Sequence, residues 1–246
     1  MTDRQETVNA ERIIKALESR EHVPEGLVKY VALCLQKGTT NRLLEELQRD
    51  ETATADGLDQ FFRRASQVTG LDPATVLSAT GFSWRDLDPS RIESAIAQLR
   101  AIFFLDGQGF RDIRLIPTQA GRSSDLIATL GEQKFAVEVA NSIYDASARF
   151  TSEQLASWAF SRWESEGKNA QIEATSQEHD CTHGAFVGVI STRAAAAQQT
   201  HPEFLEAATL AWEYIGSPQH VHVCMVTGRE TLGYGPDDAV NPPWEE

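Results

Sequence analysis

Several common signatures are missing from this chain, and each absence closes a class of function. Cysteine is scarce: Cys34, Cys181 and Cys224 are odd in number, far apart and in no CxxC pair, so neither a disulfide framework nor a cysteine zinc site is indicated. No GxxxxGK(S/T), GxGxxG or GxSxG run occurs, which removes the common nucleotide-loop and serine-hydrolase readings. No continuous apolar run reaches the ~20 residues a membrane span needs, and the opening segment MTDRQETVNAER lacks the apolar core of a secretory signal. A cytoplasmic protein without membrane contact is the expectation. Positive charge is short as well. Against 36 acidic residues stand 22 Lys and Arg, a formal net charge of -14, and phosphate backbones repel such a chain unless its basic residues cluster. That counts against a general nucleic-acid-binding protein. It leaves room for an enzyme with a local basic cleft, for one recruited by a partner, and for an acidic binder such as an inhibitor that mimics DNA.

What is present divides near residue 85. Before it, AERIIKALESR, EGLVKYVALCLQ, NRLLEELQRD and ADGLDQFFRRASQVTG carry apolar residues at helical spacing with no strand-like alternation. This predicts an all-α N-terminal domain over 1–85. Asp72 and Pro73 are placed as N-cap and first helical residue of a further short helix. FFRRASQVTGLDPATVLSATG superficially resembles a helix-turn-helix, but its second helix is poor in residues that read bases, and packing is the preferred role. These helices also offer a face for a protein partner or a second copy of the chain. GFSWRDLDPS, rich in turn formers, reads as the hinge.

Residues 86–230 read as an α/β domain. A helix from about Ser90 to Phe104 puts Ile92, Ile96, Leu99 and Ile102 on one side. FRDIRLIPT follows as a strand, then SDLIATLGEQKFAVEVAN as a β-hairpin turning at Gly131 and Glu132. A single long helix from about Ser152 to Thr175 comes next, with Leu155, Trp158, Ala159, Trp163 and Ile172 apolar, then AFVGVIST as a central strand. The helix PEFLEAATLAWEYIG and the strand HVHVCMVTG complete the order, α-β-β-β-α-β and then α-β, which predicts a mixed sheet flanked by helices. Residues 231–246, rich in Gly, Pro and acids, are expected to form an irregular tail, with Trp244 as its anchor or as a partner contact.

The hairpin carries the chemistry. Each arm alternates as a half-buried strand does, with Leu126, Ala128 and Leu130 on one face of the first and Phe135, Val137 and Val139 on one face of the second. Asp125 and Glu138 then lie on the opposite face, at roughly one level of the sheet. Two carboxylates so close repel, and a divalent cation is the usual remedy. The plainer alternatives are an Asp that bonds its own backbone in a turn and a Glu that faces solvent on an edge strand.

An acid at the start of the second strand, a twelve-residue spacer and then Glu138-Val139-Ala140, in this order of elements, resembles the PD-(D/E)XK, or restriction-endonuclease-like, phosphodiesterase superfamily. The resemblance spans about 90–192. It implies a restriction-endonuclease-like mixed sheet and a Mg²⁺- or Mn²⁺-dependent nuclease cutting nucleic acid, DNA first, in a setting such as prokaryotic defence or repair. Asp125, Glu138 and the carbonyl of Val139 would hold the ion. The family's motif lysine is replaced here by Ala140. Lys134 shares the strand face of Glu138 but lies about 13 Å along the strand. The family tolerates a lysine that has moved to the following helix, and Lys168 is so placed; Gln171 shares its helix face and would hold the nucleic-acid backbone. Glu93 is positioned as the further acid that some members contribute from the first helix, or as an ordinary glutamate at a helix N-terminus. The missing lysine keeps a second possibility open: a catalytically inactive member of the fold acting as a protein-interaction or regulatory module.

Two other clusters are weaker. His179, Asp180, Cys181 and His183 crowd one loop, and His220 and His222 alternate on one strand. Neither spacing matches a zinc module, so a polar loop and a set of cross-strand partners are the simpler expectations.

Overall fold

A computed structural model of the chain describes residues 3–117, 123–144, 150–192, 200–227 and 238–244. Contacts divide the chain into two compact units, Met1–Ala95 and Ile96–Glu246. Among the described residues no helix is long and apolar enough to cross a membrane.

The first unit is helical: α1 (Asp3–Glu18), α2 (Glu25–Lys37), α3 (Arg42–Arg49), α4 (Glu51–Thr69), α5 (Pro73–Ala79) and the start of α6 (Pro89–Gly107). Its helices form because local signals and apolar spacing agree. In α2 the buried residues are Leu27, Tyr30, Val31 and Cys34, a single stripe at three- and four-residue steps. Asn41 caps α3 by accepting from the Leu44 amide at 3.0 Å. Asp50 caps α4 through the Ala53 amide at 3.0 Å, and Asp72 caps α5 with Pro73 following it, as read from the sequence.

The second unit is a six-stranded mixed sheet with helices packed on it. The strands are β1 (Arg111–Leu115), β2 (Leu126–Leu130), β3 (Gln133–Tyr144), β4 (His183–Thr192), β5 (Val221–Thr227) and β6 (Ala239–Asn241), and their order in the sheet is their order in the chain. β1, β2 and β3 pair antiparallel, β3, β4 and β5 pair parallel, and β6 returns antiparallel to β5. Gly131 turns the β2–β3 hairpin with a positive φ of 58°, the conformation glycine adopts without penalty. The helices α7 (Ser152–Ser165), α8 (Lys168–His179) and α9 (His201–Tyr214) cover one face.

Four expectations change. The hairpin is not half-buried: Leu126, Ile127 and Ala128 are all buried in β2, as are Phe135 to Ala140 in β3, because the sheet is covered on both faces. The single helix of residues 152–175 is two helices, since Gly167 adopts a left-handed φ of 63° between α7 and α8. The helix after the hinge, α6, is not buried on one side alone, because Ala97, Leu99 and every residue from Ala101 to Leu105 are buried. The last segment is not wholly irregular: Ala239–Asn241 closes the sheet edge. Trp244 then packs 4.9 Å from Phe110 and 4.7 Å from His222 between ring centroids, and donates to Gln108 Oε1 at 2.9 Å.

Small residues set how closely α7 and α8 approach the sheet. Ala136 pairs with Gly184 and Ala140 with Gly188 across β3 and β4. A Cβ on Gly184 would meet Ile172 Cγ2 of α8 at 2.7 Å, and one on Gly188 would meet Trp158 of α7 at 3.0 Å. Gly184→Ala is therefore expected to destabilise the protein by ~1–3 kcal/mol. Gly57→Ala, in an exposed and open stretch of α4, is expected to stabilise by up to about 1 kcal/mol. Denaturant unfolding of both variants tests the pair: a Gly184→Ala protein as stable as its parent would remove the close approach.

Candidate active site

The hairpin register decides where the two acids fall. Leu126 lies opposite Val137 and Ile127 opposite Ala136; one step further sets Asp125 opposite Glu138. Both plainer alternatives fail on the geometry. Glu138 is fully buried in β3, an internal strand, rather than solvated on an edge. The Asp125 carboxylate bonds no turn of its own: Oδ2 accepts from the Val139 amide and Oδ1 from the Gln98 side-chain amide, each at 2.8 Å.

Two backbone contacts fix the segment around Asp125. Its carbonyl accepts from the Ile116 amide at 2.9 Å. The preceding Ser124 amide donates to Thr175 Oγ1 of α8 at 2.7 Å. The same helix supplies the cation, as Lys168, Ile172 and Thr175 form its buried stripe. Lys168 is the first residue of α8, directly after the left-handed Gly167, and its Nζ donates to Glu138 Oε2 at 2.7 Å and lies 3.3 Å from Glu166 Oε2. Arg162 in turn pairs with Glu166 at 2.6 Å.

The electrostatics follow from burial. Desolvation, then the charge of Asp125, push the Glu138 carboxyl up to about 8 against the opposing pull of Lys168. Asp125 keeps some solvent exposure as a residue, yet its carboxylate is enclosed, and that enclosure raises it despite Lys168 and the Val139 hydrogen bond. Burial opposes the Lys168 charge, but Glu138 and then Asp125 outweigh it and hold the amine above its usual value. Lys168 is thus an ammonium at neutral pH.

The remaining residues singled out in the sequence are dispersed. Gln171 Nε2 donates to the Glu166 carbonyl at 3.1 Å, at the α7–α8 junction. Glu93 is buried in the first unit, near Tyr30, whose phenol is raised by burial first, then by Cys34, with a smaller contribution from the Glu93 charge. It stands five residues before Gln98, and five residues on an α-helix turn about 140° past a full revolution, so the two do not share a side of α6. Lys134 donates to the His179 carbonyl at the C-terminal end of α8, a favourable place for a cation. His183 and His222 sit within the ring cluster around Phe135. Among the described residues no three His, Cys, Asp or Glu side chains gather to hold a metal.

Donors for a hard cation are nevertheless placed at the hairpin. Glu138 Oε1 is buried, the Ser124 side chain helps to hold the carboxylate, and the oxygen keeps lone pairs for a further partner. The Asp125 oxygens each accept one bond and keep further lone pairs. Val139 directs its N–H toward Asp125, and the N–H and C=O of one strand residue project toward the same neighbour, so its carbonyl faces that side too. Two carboxylates and one carbonyl suit Mg²⁺, which binds through few protein oxygens and keeps its waters.

Gln98, Glu166 and Ser124 were not singled out by sequence reasoning. The available signal for Gln98 was a lone polar residue between the buried Ala97 and Leu99. Glu166 is one step from the helix break and carried no signal.

No protein-family model and no curated protein matches this chain. A solved structure of the restriction endonuclease FokI bound to DNA is similar at 8% identity and a TM-score of 0.29, over 92% of this chain and 44% of that one. The chain thus spans under half the length of that protein. A likeness of this degree does not by itself assign a fold or an activity.

The pH dependence has a definite sign. With Glu138 at about 8 in the fold against 4.5 ordinarily, the folded chain binds more protons than the unfolded one, so stability falls as pH rises through that window. Asp125, also raised, adds the same sign, and the Lys168 contribution persists until above the window. Glu138→Gln is expected to flatten this slope, gaining stability relative to the parent as pH goes from about 5 to about 8. Lys168→Met, which strands a buried carboxylate, is expected to cost ~3–5 kcal/mol at the upper end and less at the lower. Denaturation at both pH values measures the slopes; parallel slopes in parent and Glu138→Gln would refute the assignment.

Proposed function

We propose that this protein is a divalent-cation-dependent phosphodiesterase of restriction-endonuclease-like fold acting on nucleic acid, with DNA as the first substrate to test. The observation that carries the reading is the buried Asp125–Glu138 pair with the Lys168 ammonium 2.7 Å from Glu138. Structural carboxylate pairs seldom share one sheet level inside a core, since each raises the other's cost of ionisation. A cation site gives them a reason.

Asp125, Glu138 and the Val139 carbonyl would hold Mg²⁺ or Mn²⁺. Bound there, the ion supplies Lewis acidity toward a phosphodiester oxygen and toward water. Lys168, held protonated, serves as a fixed positive charge that orients the attacking water and offsets charge growing on the phosphoryl oxygens. It is not the base that takes the water proton, because its amine has no free lone pair at neutral pH. Gln171, three residues after Lys168 on α8 and bonded to the Glu166 carbonyl, would have to release that bond to hold a substrate phosphate. No covalent intermediate on the protein is needed.

One observation favours a second reading. Lys168 already neutralises Glu138 and contacts Glu166, so the cluster holds together as a purely structural ion network. An inactive member of the fold, working as a protein-interaction module, would look the same and would suit the net charge of -14.

Incubation of the purified chain with single- and double-stranded DNA and RNA, with Mg²⁺ or Mn²⁺, separates the two. Cleavage that requires the cation and falls by about 100-fold or more in Asp125→Ala is the expected result. Cleavage retained in both Asp125→Ala and Lys168→Ala would indicate a contaminant. No cleavage of any substrate by the wild type would favour the inactive module.

A further inference from the structure

We infer that Gln98 of α6 is a positioning residue for the cation site, fixing the Asp125 carboxylate through the oxygen that its strand contact leaves free; this rests on the phosphodiesterase reading above. The two Asp125 oxygens are tied from different parts of the chain. Oδ2 is held by the Val139 backbone amide, 14 residues on, and Oδ1 by the Gln98 side chain, 27 residues back, both at 2.8 Å. A carboxylate held at one oxygen can still swing about its Cβ–Cγ bond; held at both, it presents its remaining lone pairs in one plane.

The chemical type of the donor matters as much as its place. A lysine or arginine at position 98 would neutralise Asp125, and with Lys168 already on Glu138 the pair would have little charge left to attract a divalent ion. A glutamate there would repel both acids. Glutamine donates without contributing charge, so it fixes Asp125 without competing with a cation for the carboxylate. The Asp125 backbone is fixed independently through Ile116 and Ser124, so the Gln98 bond is not required to hold the loop. What it adds is the rotational setting of the carboxylate.

Gln98→Leu removes the donor at similar volume, and Gln98→Lys replaces it with a charged one. Calorimetric titration of the intact protein with Mn²⁺ is the primary readout, with thermal unfolding as the control for folding. Gln98→Leu is expected to weaken Mn²⁺ binding by about 10- to 100-fold, the usual effect of removing an outer-shell partner, and Gln98→Lys by at least as much. The Mn²⁺ concentration for half-maximal cleavage should rise in parallel. A merely structural glutamine would lower the unfolding temperature and leave the Mn²⁺ affinity of the folded protein unchanged; that result overturns the inference. Full affinity in Gln98→Lys would overturn it too, since a charged donor would then serve as well. If instead the wild type binds no Mn²⁺ and cleaves nothing, the phosphodiesterase reading itself fails, which is a different outcome from a wild type that binds and a Gln98→Leu that binds equally.

Discussion

A buried ion pair between Glu138 and Lys168 is the constraint around which the second unit is arranged. Placing a carboxylate inside a sheet covered on both faces costs several kcal/mol unless a cation with good geometry meets it. Glu138 cannot find that cation on its own strand, because its neighbours on the same face, Ala136 and Ala140, are small and apolar. It comes from α8, and several local features serve to bring it there. Gly167 ends the α7 direction in a left-handed turn and starts α8 at Lys168. Gly184 lets Ile172 settle onto β4. Thr175, two turns along, reaches the Ser124 amide. One helix therefore touches the residue beside one acid and neutralises the other.

The same arrangement explains why Ala140 is compatible with the site. Its register partner Gly188 lies under Trp158 of α7, where a Cβ would already be in tight contact. A lysine at 140 would have to thread its stem through this packed layer. Small residues on the strand and a lysine on the helix are two halves of one packing solution: the closer the helix lies, the less room the strand has for a long side chain, and the shorter the reach from the helix to Glu138.

Period-two patterning made the hairpin legible. Once Gly131 and Glu132 are taken as the turn, the pairing of Asp125 with Glu138 follows from counting, whereas Lys168 came into view through the family resemblance, in which a lysine can move to the following helix. What escaped depended on tertiary context. Alternation alone cannot show that both faces of β2 and β3 are covered, since Ile127 and Ala136 are as apolar as their neighbours and small enough to suit either side. Gly167 reads as a tolerated helix glycine until its positive φ is seen. Glu93 attracted attention because it is acidic and early in α6, yet the side chain that reaches Asp125 is neutral and more than a turn later. A hydrogen bond between residues 27 apart has no periodic signature. The edge strand β6 was hidden by its Pro- and acid-rich surroundings, and its partner β5 is what orders it.

Charge in the cluster bears on how an acidic protein could approach a phosphate backbone at all. Asp125, Glu138 and Glu166 face Lys168 and Arg162, which leaves the ionised cluster one unit negative. In that state it would repel a phosphodiester, as would the rest of a chain at -14. A divalent cation held by Asp125 and Glu138 would invert the local sign to one unit positive, at a point where low dielectric strengthens every charge interaction. Glu138, raised to about 8 without such an ion, would lose its proton on binding one. On the proposed reading, cation loading and substrate attraction are then the same event, and a protein of this net charge has no need of a broad basic surface: its attraction for a phosphate is confined to the one place where the chemistry would occur.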